Sequence, residues 1–273
     1  LVSSQEEMEN ELILGLRKLD GISIIGFYNK FDREEYKALR KVAGRKDVWL
    51  LPGVELSVND GANGIHCLIV FDKNTWLATD DDFINQFLTS VFEGIPNREN
   101  ENTSCNCNLE TILGKLDSHR KQGRDSFLVL AHVNQAKGFF QEIDGGRIEL
   151  LANKDIFRQN VLGVQKLTDR DTEHKCKTWL HGWMPAKLQG SDCKSIDMVG
   201  KAQIVGGTEL KTFIKIGDFN FEALKYALLD KDYRVANTIS SISKSYLKSI
   251  TFSGGKLDGK KISLSPDLNN FIG

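Results

Sequence analysis

The sequence predicts an α/β fold, and three observations support this prediction. The chain has 273 residues, and 40% of them are hydrophobic, which is enough apolar material for a substantial core. Short apolar runs bounded by turn residues alternate with amphipathic helical stretches over roughly 200 residues. Polar side chains able to do chemistry stand at the ends of several apolar runs. This pattern favours an α/β barrel or a doubly wound sheet.

The apolar runs predict buried strands because each is short and lies between turn residues. The first covers residues 23–28, and the second starts at residues 48–51 and leads into the segment Pro-Gly-Val-Glu-Leu-Ser-Val. Further strands are predicted at residues 65–71, 127–133, 161–167, 186–189 and 212–216.

Apolar residues at helical spacing predict the helices between these strands. In residues 6–19, for example, Met8, Leu12 and Leu16 fall on one face. Other helices are predicted at residues 33–42, 81–92, 109–122 and 221–229. Residues 94–108 are polar, rich in Asn and Glu and without periodicity, so they predict a long surface loop.

The pattern changes near the C-terminal end of the chain. Residues 237–245 are polar and Ser-rich, which predicts a linker. Residues 246–253 and 260–264, joined through Gly254 and Gly255, predict a two-stranded antiparallel unit. We therefore predict a first domain at 1–236, a linker at 237–245 and the start of a second domain at 246–273. Because the chain begins at Leu1 and stops in an apolar stretch, we expect both ends to be artificial.

Composition limits the classes of protein to consider. Lys and Arg number 36 and Asp and Glu 37, so bulk charge does not indicate nucleic-acid binding, although a local patch could still exist. No apolar run reaches about 18 residues and no secretory signal is visible, so no membrane span is expected. The 5 cysteines are scattered, which predicts a reducing, cytoplasmic location. Cys105 and Cys107 lack two further ligands nearby and are expected to be free thiols.

Four polar residues lie at or near the ends of predicted buried strands: Glu55, His66, His132 and Asp192. Each alone has an ordinary structural explanation, a solvated carboxylate at a strand end or a satisfied core histidine. Together they offer the mixture of imidazole and carboxylate that divalent metals bind, and a barrel mouth could gather them. The remaining histidines, His119, His174 and His181, lie in polar or helical surroundings and are expected on the surface.

The segments LLPGVELS, GIHCLIVF, FLVLAHV and GSDCKS, in this order, resemble the motifs of the polymerase and histidinol phosphatase (PHP) superfamily across residues 22–199. The resemblance implies a distorted (β/α)7 barrel that binds two or three divalent metals, Mn²⁺, Zn²⁺ or Mg²⁺. It implies that Glu55 bridges metals, that His66 and His132 are ligands, and that Asp192 belongs to the final Asp-x-His motif. Catalysis would involve Glu55, His132 and Asp192.

The sequence departs from the PHP pattern at three places. The usual His-x-His motif is not found, Asn29 and Lys30 stand at the Thr-Asp-His position, and Lys194 replaces a histidine. Charged lysines cannot ligate a metal, and two cations would disfavour a second or third ion. Alternatively, Lys30 and Lys194 could hold a substrate phosphate.

Residues 248–273 resemble the first strands of SMC-like and AAA-type (ABC-like) ATPases, with the chain stopping before the Walker A loop that binds phosphate. A plain β-hairpin is the alternative. The order of the two segments resembles the PHP-AAA ATPase group, including TrlF-like proteins. This resemblance implies ATP binding only downstream of Gly273, a homo-oligomer, nucleic acid as a partner, and a role in bacterial antiphage defence or DNA processing.

These expectations lead to one hypothesis and two alternatives. The hypothesis is an N-terminal metal-dependent phosphoesterase or nuclease module of an ATPase. The first alternative is a catalytically degenerate barrel that serves the ATPase as a docking or regulatory module. The second is a stand-alone small-molecule phosphatase resembling histidinol phosphatase.

Overall fold

The computed structural model describes residues 22–44, 48–78, 80–100, 103–165, 170–190, 203–205, 208–237 and 247–264. The chain divides into two compact units, Leu1–Thr238 and Ile239–Gly273. The predicted helix at residues 6–19 and most of the predicted linker at 237–245 lie outside the described residues.

A six-stranded sheet forms the centre of the first unit, in the order β1-β2-β3-β4-β5-β6. Its strands are β1 (Ile22–Tyr28), β2 (Trp49–Val58), β3 (Ile65–Phe71), β4 (Ser126–Leu130), β5 (Val161–Gln165) and β6 (Ala186–Leu188). β3 is antiparallel to both of its neighbours, whereas the other adjacent pairs are parallel. The carboxyl ends of five strands therefore meet at one edge of the sheet, together with the amino end of β3.

Ten helices accompany the strands in the part of the chain that the structure describes. They are α1 (Arg33–Gly44), α2 (Lys73–Trp76), α3 (Phe83–Val91), α4 (Leu109–Lys121), α5 (Phe139–Glu142), α6 (Gly145–Ala152), α7 (Asp155–Asn160), α8 (Arg170–Trp179), α9 (Phe221–Leu229) and α10 (Lys231–Arg234). Among the residues described, no helix combines the length and the hydropathy needed to cross a membrane.

Side-chain caps explain where the longer helices begin. The Asn108 side chain accepts a hydrogen bond from the amide of Thr111 at the start of α4, and the Asn220 side chain accepts one from the amide of Ala223 at the start of α9. Such caps satisfy amide groups that have no partner within the helix. The predicted helices at 33–42, 81–92, 109–122 and 221–229 are all present, with ends shifted by two residues or fewer.

Alternating side chains divide the sheet into two apolar faces. On one face, alternate β2 residues from Leu50 to Val58 join the main core, which extends to α3, α4, α6 and α7. On the other face, Leu51, Val70 and Val129 form a smaller cluster that α9 covers with Phe221 and Leu224. This smaller cluster occupies the amino-terminal half of β2, so the rest of this face is left for polar residues.

The predicted α/β class is confirmed, while the predicted barrel remains a prediction. Within the described residues the six strands form an open sheet, in which β1 and β6 are the two outermost strands.

The observed strands differ in detail from some of the predicted strand regions. The predicted strand at 127–133 ends at Leu130 because the next residues form turns. The predicted strand at 212–216 is shorter, and its residues 213–214 form β9, which pairs with β10 (Val235–Ala236). β7 (Gln203–Val205) and β8 (Thr208–Leu210) form another small antiparallel pair.

The surface-loop prediction for residues 94–108 is confirmed only in part. The described residues of this segment form neither helix nor strand, and most of them are exposed, but Cys105 and Cys107 lie in the main core. Both are free thiols, as expected, and the amide of Cys105 donates to the carbonyl of Ser57. His119 was expected on the surface, but it is half-buried, with its ring centroid 4.6 Å from that of Trp76. Burial and the neighbouring Arg124 lower the pKa of His119. His174 and His181 are exposed, as predicted.

The second unit contains the predicted two-stranded element. β11 (Ser249–Thr251) pairs in antiparallel fashion with β12 (Lys261–Ser263), and Gly254 and Gly255 lie in the connection with φ of 81° and 67°. Glycine suits these positions because a side chain would clash with the backbone at such angles. The hairpin is confirmed, and its identity as the start of an ATPase domain remains a prediction.

A largely buried ion pair holds α9 against the sheet, and we expect its removal to destabilise the protein. The ammonium of Lys225 lies 2.8 and 2.6 Å from the two carboxylate oxygens of Asp125, just before β4. Lys225→Met leaves that carboxylate with the amide of Ser126 as a partner, so we expect a loss of about 1–3 kcal/mol in urea unfolding. The control Lys231→Met breaks a pair with the exposed Asp232 and should cost less than about 0.5 kcal/mol. Equal effects of the two substitutions would contradict this account.

Candidate metal centre

Three of the four polar residues expected at strand ends come together in the structure. Glu55, His66 and His132 each offer a ligand atom, and these atoms all lie within 4.8 Å of one another. Oε1 of Glu55 lies 3.2 Å from Nδ1 of His66 and 3.7 Å from Nε2 of His132. The two ring nitrogens are 3.0 Å apart. One carboxylate oxygen and two imidazole nitrogens thus face a common point.

The pairing of β2 with β3 places the first two of these residues. Glu55 is opposite Leu68 and Ser57 is opposite His66, so Glu55 and His66 are diagonal neighbours on the same face. This is the face whose other half carries the smaller apolar cluster. Both residues lie towards the edge where the carboxyl ends of β2 and β4 meet the amino end of β3.

His132 reaches the cluster from the turn after β4. Its backbone has a φ of 27°, which is uncommon and costly for a residue with a side chain. Hydrogen bonds on both sides hold this turn: the amide of Ala131 donates to the carbonyl of His66, and the amide of Val133 donates to the carbonyl of Gln165. The strained conformation is therefore imposed by β3 and β5.

Lys137 and Gly138 complete the same turn. The amide of His66 donates to the carbonyl of Lys137, which has a φ of 60°. Gly138 packs so closely that an added Cβ would lie 2.4 Å from the carbonyl oxygen of His132 and 2.7 Å from that of Gln135. These contacts are with backbone atoms, so a larger residue cannot be accommodated by moving a side chain.

Glu55 is ionised over the ordinary pH range. Burial raises the pKa of its carboxyl, but hydrogen bonds and charge interactions with His132 and His66 outweigh burial and lower that pKa to about 2. All three side chains are partly buried, which leaves the cluster accessible from solvent. An ionised carboxylate beside two imidazoles suits a divalent cation of borderline softness.

One ring nitrogen of the cluster lacks support among the described residues. Nδ1 of His132 is buried and has no hydrogen-bond partner there, and the same is true of both side-chain polar atoms of Asn134. Histidines that ligate metals generally donate their second ring N–H to a carboxylate, carbonyl or water. Nε2 of His132 faces Glu55 and His66, so it is the nitrogen placed to bind a metal, whereas Nδ1 does not have this usual support among the described residues.

Asn29 has a role that the sequence did not reveal. It is fully buried, and its amide donates to the carbonyl of Glu55 at 2.8 Å. Its side chain accepts from the amide of Ser57 at 2.9 Å and donates to the carbonyl of Thr103 at 2.8 Å. Its φ of 50° is one that Asn tolerates better than most residues. Asn29 thus joins the end of β1 to β2 beside Glu55 and to residue 103.

The other predicted site residues are not part of the observed cluster. Lys30 is exposed, with its ammonium 4.0 Å from a carboxylate oxygen of Glu99. Asp192 and Lys194 lie outside the described residues. β6 runs parallel to β5 and ends at Leu188, at the edge that carries the cluster, four residues before Asp192.

Comparisons with known proteins do not establish a family. No protein-family model matches the chain, and no curated protein matches it. Among solved structures, the chain is similar to a candidate metal-dependent phosphoesterase from Bifidobacterium adolescentis, with 11% identity, a TM-score of 0.45, and coverage of 85% of this chain and 92% of the other. A likeness of this size carries no argument about function, so the case for the site depends on its own geometry.

The hydrogen bonds of Asn29 can be tested without changing its size. In Asn29→Asp the bond from Ser57 is retained, but an oxygen faces the Thr103 carbonyl in place of the NH₂ donor. We expect the free energy of unfolding in urea to fall by about 1–3 kcal/mol, because two buried acceptor oxygens would then face each other where Asn29 now donates a hydrogen bond to Thr103. Asn97→Asp is the matched control, since Asn97 also has a positive φ, 55°, but is exposed. If Asn29→Asp and Asn97→Asp lowered the free energy of unfolding equally, the role given to Asn29 would be refuted.

The turn that carries His132 makes a second prediction. Gly138→Ala should force the backbone apart, lower stability and weaken metal binding by about tenfold or more through displacement of His132. Gly114→Ala, on α4 with nothing within 4 Å of its added Cβ, should leave metal binding unchanged and raise helix stability by about 0.5–1 kcal/mol. Metal titration calorimetry and urea unfolding measure both effects. Retention of full metal affinity in Gly138→Ala would contradict the tight packing described.

Proposed function

We propose that this chain is a metal-dependent phosphoesterase module. The observation that carries the proposal is the convergence of Glu55, His66 and His132 at one edge of the sheet. This edge joins the carboxyl ends of strands, where α/β proteins generally place their catalytic groups.

The donor set fits a divalent metal. Two imidazole nitrogens and one carboxylate oxygen are ligands typical of Zn²⁺ and are also suited to Mn²⁺, while Mg²⁺ prefers oxygen. Three protein ligands leave a position open for water or substrate, as in catalytic rather than structural sites. When bound, such an ion stabilises charge on a phosphoryl oxygen and lowers the pKa of water.

The residues of this chain would divide the work as follows. Glu55 would supply the negative charge that offsets part of the charge of the cation. The strained turn would keep the ring of His132 directed at the same cation. Asp192 would add a further carboxylate after β6, and Lys30 or Lys194 would bind the substrate phosphate. The substrate class that we propose is a phosphomonoester or phosphodiester, the latter including nucleic acid.

One observation favours the alternative of a degenerate docking or regulatory module. Asn29 stands where the resembled family has a ligand, and its side chain is fully engaged in hydrogen bonds with Ser57 and Thr103. A site reduced in this way could retain the fold and one ion without supporting hydrolysis.

The wider setting is part of the same proposal. We propose that the module precedes an ATPase domain that starts near residue 246, functions in the cytoplasm as a homo-oligomer, and contributes to antiphage defence or DNA processing. The β11–β12 hairpin is compatible with the first strands of such a domain. ATP would bind downstream of Gly273.

Metal content separates a metal site from an ordinary polar cluster. The purified chain, loaded with Mn²⁺ or Zn²⁺ and desalted, should retain about one ion per chain, and a chelator should lower its melting temperature. Glu55→Gln and His66→Gln should each weaken binding by about tenfold or more because each removes a ligand. His174→Gln, at an exposed histidine, should leave the metal content unchanged. If Glu55→Gln and His66→Gln both retained metal as the control does, the ion would lie elsewhere and the proposal would be wrong.

Hydrolysis of model esters separates the phosphoesterase from the degenerate module. With Mn²⁺ present, the chain should hydrolyse p-nitrophenyl phosphate or its diester, and His132→Gln should lower kcat by about 100-fold because a ligand is lost. His181→Gln serves as the control at an exposed histidine. A folded, metal-loaded chain without activity on either ester would support the degenerate module instead.

A further inference from the structure

A recess lies far from the metal centre, at the end of the sheet where β2 begins. It has a volume of about 280 Å³ and is lined by residues from the end of α1, the start of β2, the segment after β3 and the start of α9. Trp49, in its wall, lies six residues before Glu55 on the extended strand β2. At about 3.3 Å per residue, this separates the two places by about 20 Å. We call this recess the α1–β2 groove.

Two cations line the α1–β2 groove, and among the described residues neither forms an ion pair with a carboxylate. The side chain of Arg40, which is exposed, makes no hydrogen bond or ion pair within that part of the chain. The ammonium of Lys73 donates to the side-chain oxygen of Asn74 at 3.0 Å. Burial and the charge of Arg40 both lower the pKa of Lys73, which indicates that the two cations interact unfavourably. An anion placed between them would relieve this repulsion.

The nearby acidic residue is already engaged. The carboxylate of Asp72 accepts hydrogen bonds from the amide of Asn74 at 3.0 Å and from the hydroxyl of Thr75 at 3.1 Å, and so caps α2. Its charge partly offsets that of Lys73, but it leaves the guanidinium of Arg40 free to bind. The charged residues lining the described groove therefore carry a net positive charge.

An aromatic surface lies beside these cations. The rings of Trp49 and Phe219 meet edge to face, with centroids 6.3 Å apart and planes at 78°. Phe219 is 57% exposed, so part of this apolar surface faces water. Exposed aromatic rings next to Arg or Lys are the combination that binds a base by stacking and its phosphate by charge.

We propose that the α1–β2 groove binds a nucleoside monophosphate, with the phosphate between Arg40 and Lys73 and the base against Phe219 and Trp49. Arg40 can bind two phosphate oxygens at once through its planar guanidinium, and Lys73 adds a point charge. The volume of about 280 Å³ lies just below the range of small-ligand sites, roughly 300–1,000 Å³, so it suits one nucleotide better than a dinucleotide cofactor. The same chemistry could come from a free nucleotide or from one nucleotide of a strand, and we assign the free form.

Calorimetry with AMP tests this assignment, with EDTA present so that the metal centre holds no ion. We expect saturable binding of AMP. Adenosine and inorganic phosphate should each bind more weakly than AMP by about tenfold or more, because adenosine lacks the phosphate contacts and phosphate lacks the contacts of the base. Arg40→Gln and Phe219→Ser should each weaken AMP binding by about tenfold. Both residues are exposed, so both variants should fold.

Matched controls separate groove binding from a general charge or surface effect. Lys41→Gln removes a charge from an exposed position next to Arg40 on α1, and Tyr233→Ser removes an exposed ring outside the groove. Neither should change AMP affinity. Absence of saturable AMP binding, or equal weakening by Lys41→Gln and Arg40→Gln, would overturn the proposal. Binding of a short single-stranded oligonucleotide without binding of AMP would likewise overturn it, in favour of nucleic-acid contact.

Discussion

The candidate site depends on the hydrogen-bonded register between β2 and β3. With Ser57 opposite His66, the period of two along each strand places Glu55 and His66 on one face and Leu56 and Cys67 on the other. A slip of one residue in β2 would turn Glu55 into the main core and bring apolar residues to the site. The buried apolar residues of both faces hold this register, so the packing of the core and the geometry of the site are one constraint.

The third ligand depends on a different kind of constraint. His132 is not on a strand, and its position follows from a turn whose backbone is strained and which is bonded to β3 and β5. Such strain persists only where the surrounding structure imposes it, and it is concentrated at functional sites in proteins generally. The site therefore combines two side chains fixed by regular pairing with one fixed by an irregular, tightly packed turn.

Much of the fold could be predicted from local patterns, whereas the site could be predicted only in part. Apolar runs located β1 to β6, because a buried strand must be apolar along its length. They did not locate the end of β4, since Ala131 and Val133 are as buried in the turn as Leu130 is in the strand. His119 and Cys105 were misplaced because polar neighbours in sequence do not reveal burial by distant elements. The convergence of Glu55, His66 and His132 depends on strand order and register, which no local pattern contains.

The hydrogen bonds of Asn29 limit what the site can hold. Its side chain could turn towards a metal only by leaving the amide of Ser57 and the carbonyl of Thr103, and each buried group left unpaired would cost about 1–3 kcal/mol. Within the described residues, one carboxylate and two imidazoles remain as ligands, a number that suits one ion. Two ions held only by these ligands would repel each other strongly at short range. The geometry therefore favours chemistry at a single metal, and any further ion would require ligands from residues such as Asp192.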